Sequence, residues 1–299
     1  MRFQLTEDQR ALRDGVRGLL ARRFGREALW AAVDGGGLDR GLWRELGAAG
    51  FFALRLTEAE GGVGLGLPEA VLLFEEAGRV LLPGPLVATH LAAGTVPGAA
   101  TGEAVVTAVG GGGLVEWLDE ADVVVGGGSG AVAAGAVALR SVDPLTPLHR
   151  VSADVSSARP DDPFVLLTAA EQLGTAVRAC ELAVQHARTR EQFGRPIGAF
   201  QAVKHLCAEL LVRVEVARAA VYAAAVTGDP VDIAAARLLA DEAAVRGARD
   251  CLQVHGGMGF TWEADVHLCL KRAWVRAERG GSITESEELL AEELLAGAG

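Results

Sequence analysis

The stretch that decides the fold is Arg188–His205, RTREQFGRPIGAFQAVKH, because it separates two long apolar segments of the chain. The segment before it, Val165–Ala187, and the segment after it, Gln201–Val226, each predict one long helix. Proline disfavours helical conformation in the residue that precedes it, so Pro196 ends any helix that approaches it. The sequence therefore predicts a sharp turn at Gly194–Ile197 between two helices.

This turn places an arginine and an aromatic residue together at the end of the first helix. The guanidinium of Arg190 can bind a phosphate through two parallel hydrogen bonds, and the ring of Phe193 can pack on a heterocycle. Such a pair suits a flat, anionic ligand. The stretch alone leaves a second interpretation of Arg190 open, namely a solvated cation at the end of a helix.

The overall charge argues against one class of partner. The chain has 299 residues and a formal net charge of −11, with 50% hydrophobic residues. An acidic protein is a poor general binder of phosphate backbones, so we expect no nucleic acid as a partner.

The spacing of the cysteines indicates whether a metal site is expected, and the length of the apolar runs indicates whether a membrane span is expected. The four cysteines, Cys180, Cys207, Cys251 and Cys269, form no Cys-x-x-Cys motif, so we expect free thiols in a reducing cytosol and no metal site. The uncharged run Val123–Leu139 contains five glycines and is too short to span a membrane. The N-terminal pattern predicts no signal peptide, and we expect a cytoplasmic protein without a membrane partner.

Helical patterns occupy both ends of the chain. Thr6 and Gln9 form a capping box that opens one helical region, which the glycines at 35–37 close. Towards the other end, Asp229 before Pro230 is typical of a helix N-terminus with proline at the first position.

The region between these helices changes character. Two short valine-rich segments, Val105–Val109 and Val123–Val125, alternate with glycine runs at 110–113 and 126–128, which predicts short strands. We therefore predict a mainly α protein with a small β middle domain. Its parts are an N-terminal helical domain at 1–93, a truncated β middle domain at 94–162 and a C-terminal helical bundle at 163–299.

Four segments together resemble the acyl-CoA dehydrogenase family. Arg188–His205 resembles the family's RxxFG…fQ segment, and Cys251–Phe260, CLQVHGGMGF, resembles its Q-x-x-GG-x-G-F loop. Met1–Leu12 resembles the family's N-terminal opening, and Thr57–His90 its N-terminal helical domain. Each match alone is weak, but the four occur along the chain in the family's order.

The resemblance implies a role in binding FAD. In this family two neighbouring subunits build each FAD site, and this chain matches the half that holds the diphosphate and adenosine. The arginine would pair with the diphosphate, and the glycines would let the backbone approach where side chains would not fit. The matching positions are Arg190, Gln192, Phe193, Gln201, Gln253, Gly256 and Gly257.

Two departures from the family pattern concern the other half of the site. The family's T-E-P-type loop and W-I-T-type segment, which face the flavin ring, have no match in this chain. The family's catalytic glutamate aligns with Gly280, and the alternative position used by some relatives falls near Phe164. We therefore expect no catalytic residue in this chain, and we interpret Glu278 and Glu285 as surface carboxylates.

The resemblance thus implies the smaller, base-lacking subunit of a heteromeric, FAD-dependent acyl-CoA dehydrogenase, similar to those of bacterial steroid side-chain breakdown. A larger subunit would carry the base, in an α2β2 heterotetramer. The substrate would be an acyl-CoA with a bulky steroid side chain, and the acceptor an electron-transfer flavoprotein or similar. Two alternatives remain: a homodimeric dehydrogenase with a relocated base such as Glu278, and a non-enzymatic scaffold relative.

Overall fold

The computed structural model describes residues 4–35, 37–126, 135–151, 161–279 and 283–296. Helices dominate it and short strands lie in the middle of the chain, which confirms the predicted fold class. The helices are α1 (Glu7–Arg23), α2 (Arg26–Gly35), α3 (Arg40–Ala48), α4 (Leu67–Arg79), α5 (Leu86–Leu91), α6 (Asp162–Thr189), α7 (Gln201–Thr227), α8 (Pro230–His255), α9 (Val266–Ala277) and α10 (Ile283–Ala296). The strands are β1 (Val106–Ala108), β2 (Leu114–Glu116), β3 (Val123–Val125), β4 (Val137–Leu139), β5 (Leu148–Arg150), β6 (Glu191–Gln192) and β7 (Arg195–Pro196).

The first helix begins as the sequence indicates. The Thr6 hydroxyl accepts from the backbone N–H of Gln9 at 3.1 Å, and the Gln9 side chain accepts from the backbone N–H of Thr6 at 3.0 Å. The helical region that was expected to continue to the glycines is instead divided at Phe24 and Gly25 into α1 and α2. Phe24, the C-cap residue at which α1 ends, is buried in the hydrophobic core.

The middle region forms two small sheets. β1 and β3 pair in parallel, with Val106 opposite Val123, while β2, β5 and β4 form an antiparallel sheet in that order. The two predicted valine-rich strands are confirmed, and every strand of these sheets is three residues long. Sheets this small cannot bury a large core of their own, so contacts with the helices are needed to fix their position.

The helices before and after the middle region share one hydrophobic core. α4 crosses α6 at two glycines, Gly78 and Gly174, each of which faces the backbone of the other helix. A Cβ atom at Gly174 would lie 2.0 Å from the backbone oxygen of Glu75, and one at Gly78 would lie 2.1 Å from that of Glu171. Only glycine permits this approach. The domain boundaries at 93 and 162 stay a prediction.

Two arginines join the middle region to the bundle. Arg272 of α9 donates to Asp143 at 2.5 Å, and Arg279, just after α9, donates to Glu116 of β2 at 2.9 Å and to Glu171 of α6 at 2.7 Å. Arg276 donates to Glu171 at 2.9 Å and joins α9 to α6 within the bundle. Burial, only partly offset by Glu171, lowers the pKa of Arg276 to about 9. Removing one partner of a buried ion pair strongly destabilises the fold, because the other charge then stays buried without its partner.

Candidate functional site

The segment between α6 and α7 is a tight hairpin. β6 and β7 pair in antiparallel orientation with Gln192 opposite Arg195, which leaves Phe193 and Gly194 as the two turn residues. Both have positive φ, 54° and 74°, as a type I′ turn requires. The reversal therefore lies at Phe193–Gly194, and the prediction of a turn at Gly194–Ile197 was wrong. Arg195 and Pro196 are extended, as expected before and at a proline.

The turn presents the Phe193 ring to the outside. The Phe193 side chain is 90% exposed, and its nearest aromatic neighbour is Phe200, with ring centroids 6.0 Å apart. A bulky residue at positive φ carries backbone strain, which proteins often keep at functional positions. The Phe193 ring therefore points into solvent and makes few packing contacts with the rest of the chain.

Next to this hairpin lies a surface cleft of about 480 Å³, which we call the hairpin cleft. The end of α6, the hairpin, the start of α7 and the end of α8 surround it. Its lining residues are His186, Arg190, Gln192, Phe193, Ile197, Phe200, Val203, Gln253, Val254, His255, Gly256, Gly257 and Met258.

The hairpin cleft brings together the residues singled out from the sequence, with one exception. Arg190, Gln192 and Phe193 come from one side, and Gln253 with the glycine pair comes from the other. Gln201 is exposed at the first position of α7 and does not line the cleft, so its assignment to cofactor binding stays a prediction. The side chains that α7 and its N-cap turn towards the cleft are apolar, those of Phe200 and Val203.

The two glycines leave backbone accessible at the cleft. Gly256 ends α8 with φ 61° and ψ −143°, a conformation that side chains rarely adopt. A Cβ atom at Gly256 or Gly257 would meet nothing within 4 Å, and both residues are exposed. Packing within the chain therefore does not explain why position 257 is a glycine. Close approach of a ligand to the backbone would explain it.

The charge of the cleft is opposite to that of the whole chain. Arg190 is exposed, and its guanidinium has no ion-pair or hydrogen-bond partner among the described residues. The residues that line the cleft include no carboxylate. α6 and α8 both end here, and helix C-termini disfavour an anion by about 0.3–1 kcal/mol each. A charge-assisted bond from arginine is worth about 1.5–3 kcal/mol, so the balance favours an anion.

Two stacked histidines form one wall of the cleft. The ring centroids of His186 and His255 are 4.1 Å apart with an interplanar angle of 21°. Nδ1 of His255 lies 2.8 Å from the carbonyl oxygen of Cys251, one turn earlier on α8. The pKa of His186 is lowered, first by burial and then by His255 and Arg190. Sequence reasoning missed this pair, although His186 precedes Arg190 by one helical turn and His255 adjoins Gly256.

A second, larger cavity of about 870 Å³ lies between α5, the small sheets and the helices α6, α8 and α9. We call it the central cavity. Most of its lining is apolar, and three carboxylates, Glu116, Asp161 and Glu278, also line it. The sequence did not indicate this cavity, because it is built from residues far apart in the chain.

The positions considered for a catalytic base lie at or near this cavity. Phe164 lines it, so the alternative position carries an apolar ring there. Glu278 is exposed and also lines it, whereas Gly280 and the side chain of Glu285 lie outside the described residues. Sequence reasoning missed Asp161, which precedes α6.

Two further expectations concern thiols and metals. Cys180, Cys251 and Cys269 are buried, Cys207 is half-buried, and all four are free. Within the described ranges no group of three or more histidine, cysteine or acidic side chains could hold a metal ion. In the same ranges no helix is long and apolar enough to cross a membrane.

Comparisons with known proteins identify the family of this chain. Descriptions of the acyl-CoA dehydrogenase N-terminal and C-terminal domains match residues 6–105 and 166–295. The chain is 38% identical to an acyl-CoA dehydrogenase, IpdE2, of Mycobacterium tuberculosis, over 89% of this chain and 91% of that protein.

Two solved structures share the fold. The ChsE4-ChsE5 complex from Mycobacterium tuberculosis contains a chain with a TM-score of 0.82 and 25% identity, covering 99% of both chains. The Tcur3481-Tcur3483 steroid ACAD contains one with a TM-score of 0.81 and 23% identity, covering 98% of this chain and 99% of that one. With both terminal domains matched, and a relative of this identity along nearly the whole length, the chain belongs to the acyl-CoA dehydrogenase family.

Proposed function

We propose that this chain is the subunit of a heteromeric, FAD-dependent acyl-CoA dehydrogenase that lacks the catalytic base. It supplies the half of the FAD site that holds the diphosphate and adenosine. A larger partner subunit supplies the flavin-ring face and the carboxylate that removes the α-proton of the acyl-CoA.

The observation that carries this proposal is the hairpin cleft. It combines an unpaired guanidinium, an outward aromatic ring and accessible glycine backbone, and no carboxylate lines it. An esterified diphosphate carries two negative charges, for which these groups are suitable partners. Phe193, in the lining of the cleft, is exposed to solvent, as expected of half of a site that a second chain completes.

The residues of the cleft fit a bound dinucleotide. Arg190 would neutralise charge on the diphosphate, and the backbone at Gly256 and Gly257 would approach it closely. Phe193 would cover the bound molecule and help to exclude water. When bound, FAD supplies the acceptor for a hydride from the β-carbon of the acyl chain. This chain would contribute binding and orientation, and we assign no catalytic residue to it.

The proposed partner and substrate are supported by the two structural neighbours. One is a complex of two named chains, and the other is described as a steroid ACAD. We therefore propose an α2β2 heterotetramer that acts on a bulky steroid side-chain CoA thioester. An electron-transfer flavoprotein, or a similar carrier, would accept the electrons.

The central cavity supports a second candidate, a homodimeric dehydrogenase with its own base. Glu278 and Asp161 both line a cavity large enough for an acyl chain, and either carboxylate could remove a proton if a substrate placed its α-carbon there. This candidate requires the same chain to hold the flavin ring.

Co-expression with the larger subunit distinguishes the candidates. We expect one FAD per heterodimer, from flavin absorbance per chain, and little or none on the isolated chain. Stoichiometric FAD and activity on the isolated chain would support the homodimer instead. A stable complex without flavin would support the scaffold alternative.

A further inference from the structure

The stacked histidines give the hairpin cleft a property that the sequence motifs do not include. We propose that His186 is a second anion-binding side chain of the cleft, neutral when the cleft is empty and protonated when a dinucleotide diphosphate binds beside Arg190. This inference rests on the proposed function of the cleft, and it adds a residue that takes up a proton on binding.

Geometry places His186 beside the anion site. Arg190 directly follows α6, and its backbone N–H donates to the carbonyl oxygen of His186 at 2.9 Å, so the two residues lie one helical turn apart. Both line the cleft. The opposite face of the His186 ring is fixed by the stack on His255 at 4.1 Å. His255 in turn is held by the contact of its Nδ1 with the carbonyl oxygen of Cys251 at 2.8 Å.

The charged and titratable groups around His186 explain why it is neutral in the empty cleft. Just after its own helix the neighbour is Arg190, and on α8 the neighbour is His255, whose Nδ1 lies 3.7 Å from Sγ of Cys251. Lys204 and His205 of α7 are exposed and do not line the cleft. Burial, His255 and Arg190 all lower the pKa of His186, and no carboxylate in the lining opposes them.

A bound diphosphate reverses this balance. An opposite charge within about 4–6 Å favours the protonated form of a histidine, and a diphosphate brings two negative charges to the cleft. The anion also offsets the repulsion from Arg190. Binding then takes up as much as one proton, so affinity rises as pH falls, by at most about tenfold per pH unit.

ADP-ribose is a suitable probe, because its diphosphate is esterified on both sides and keeps its charge over the range in which histidine titrates. We would measure its affinity for the isolated full chain by NMR titration from about pH 5.5 to about pH 7.5. The variants are His186→Phe, which keeps a ring against His255 but cannot take a proton, and His205→Gln, which removes an exposed histidine outside the cleft. Arg190→Ala tests the cleft itself.

Wild type and His205→Gln should bind more tightly at low pH, whereas His186→Phe should lose this dependence. Arg190→Ala should bind more weakly at every pH. If the pH dependence of ADP-ribose affinity persists in His186→Phe, or is absent in wild type, the proposed role of His186 is wrong, while the proposed function of the cleft still stands. The isolated chain should retain little FAD through purification, but half of a site should still bind ADP-ribose weakly at the concentrations of an NMR titration. No binding by wild type at any pH therefore overturns the proposed cleft and this inference with it.

A measurement on wild type alone guards against a variant that fails to fold. The histidine ring resonances of the full chain, followed by NMR, should show one pKa below the ordinary value that rises when ADP-ribose is added. No change in any histidine pKa at saturating ADP-ribose would overturn the inference.

Discussion

Replacing Arg190 by alanine is the most direct perturbation of the hairpin cleft. The Arg190 guanidinium is exposed and has no partner among the residues that the structure describes, so its removal breaks no internal ion pair. A charge-assisted hydrogen bond to a diphosphate is worth about 1.5–3 kcal/mol. Since about 1.4 kcal/mol corresponds to a tenfold change, FAD affinity of the complex should fall roughly ten- to hundredfold.

The assay is retention of FAD by the purified heteromeric complex during serial dilution, followed by flavin fluorescence. Arg188→Ala is the matched control, because Arg188 lies on the same helix end, is exposed and does not line the cleft. It removes the same charge, so it reports any general electrostatic effect. Equal FAD retention by wild type and Arg190→Ala, or equal losses in the two variants, would refute direct binding by Arg190.

Three further predictions concern catalysis, packing and pH. Glu278→Gln should leave turnover of the complex nearly unchanged, because the proposed base lies on the partner; loss of a true base costs about 10²-fold or more in rate. Gly174→Ala should lower the free energy of unfolding by about 1–3 kcal/mol in urea titrations, since its Cβ would lie 2.0 Å from the Glu75 oxygen. Gly15→Ala is the matched control, because nothing lies within 4 Å of the new Cβ. It should raise the free energy of unfolding by about 0.5–1 kcal/mol, since alanine is favoured over glycine inside a helix. Burial lowers the pKa of His90 to about 4, so below its ordinary pKa of 6.5 the unfolded chain takes up the proton first. Stability should then fall by roughly 3 kcal/mol between these two pH values, and the loss should be smaller in His90→Gln.

Local chemistry made much of the fold predictable from sequence. The capping box at Thr6 and the proline after Asp229 mark helix starts by hydrogen bonds within a few residues, and both are found. The hairpin was harder, because a residue such as Phe193 seldom adopts positive φ. The four-residue turn, Gln192–Arg195, was therefore predicted two residues late, at Gly194–Ile197.

Residues of the hairpin cleft were predictable because they lie in two short motifs. His186 was missed since its role depends on contact with His255 across two helices, which no spacing within one segment reveals. Gln201 was assigned by its place in a motif; it is exposed at the start of α7 and does not line the cleft, so its role stays a prediction. The central cavity depends on how sheets and helices assemble over long sequence distances, and local patterns carry no information on that.

The most direct test of the account is a structure of the FAD-bound complex with the larger subunit. We predict that the diphosphate of FAD lies within hydrogen-bond distance of Arg190 and close to the backbone of Gly257, while the flavin ring lies on the partner chain. A flavin ring bound in the central cavity of this chain, with Arg190 facing solvent, would contradict the account.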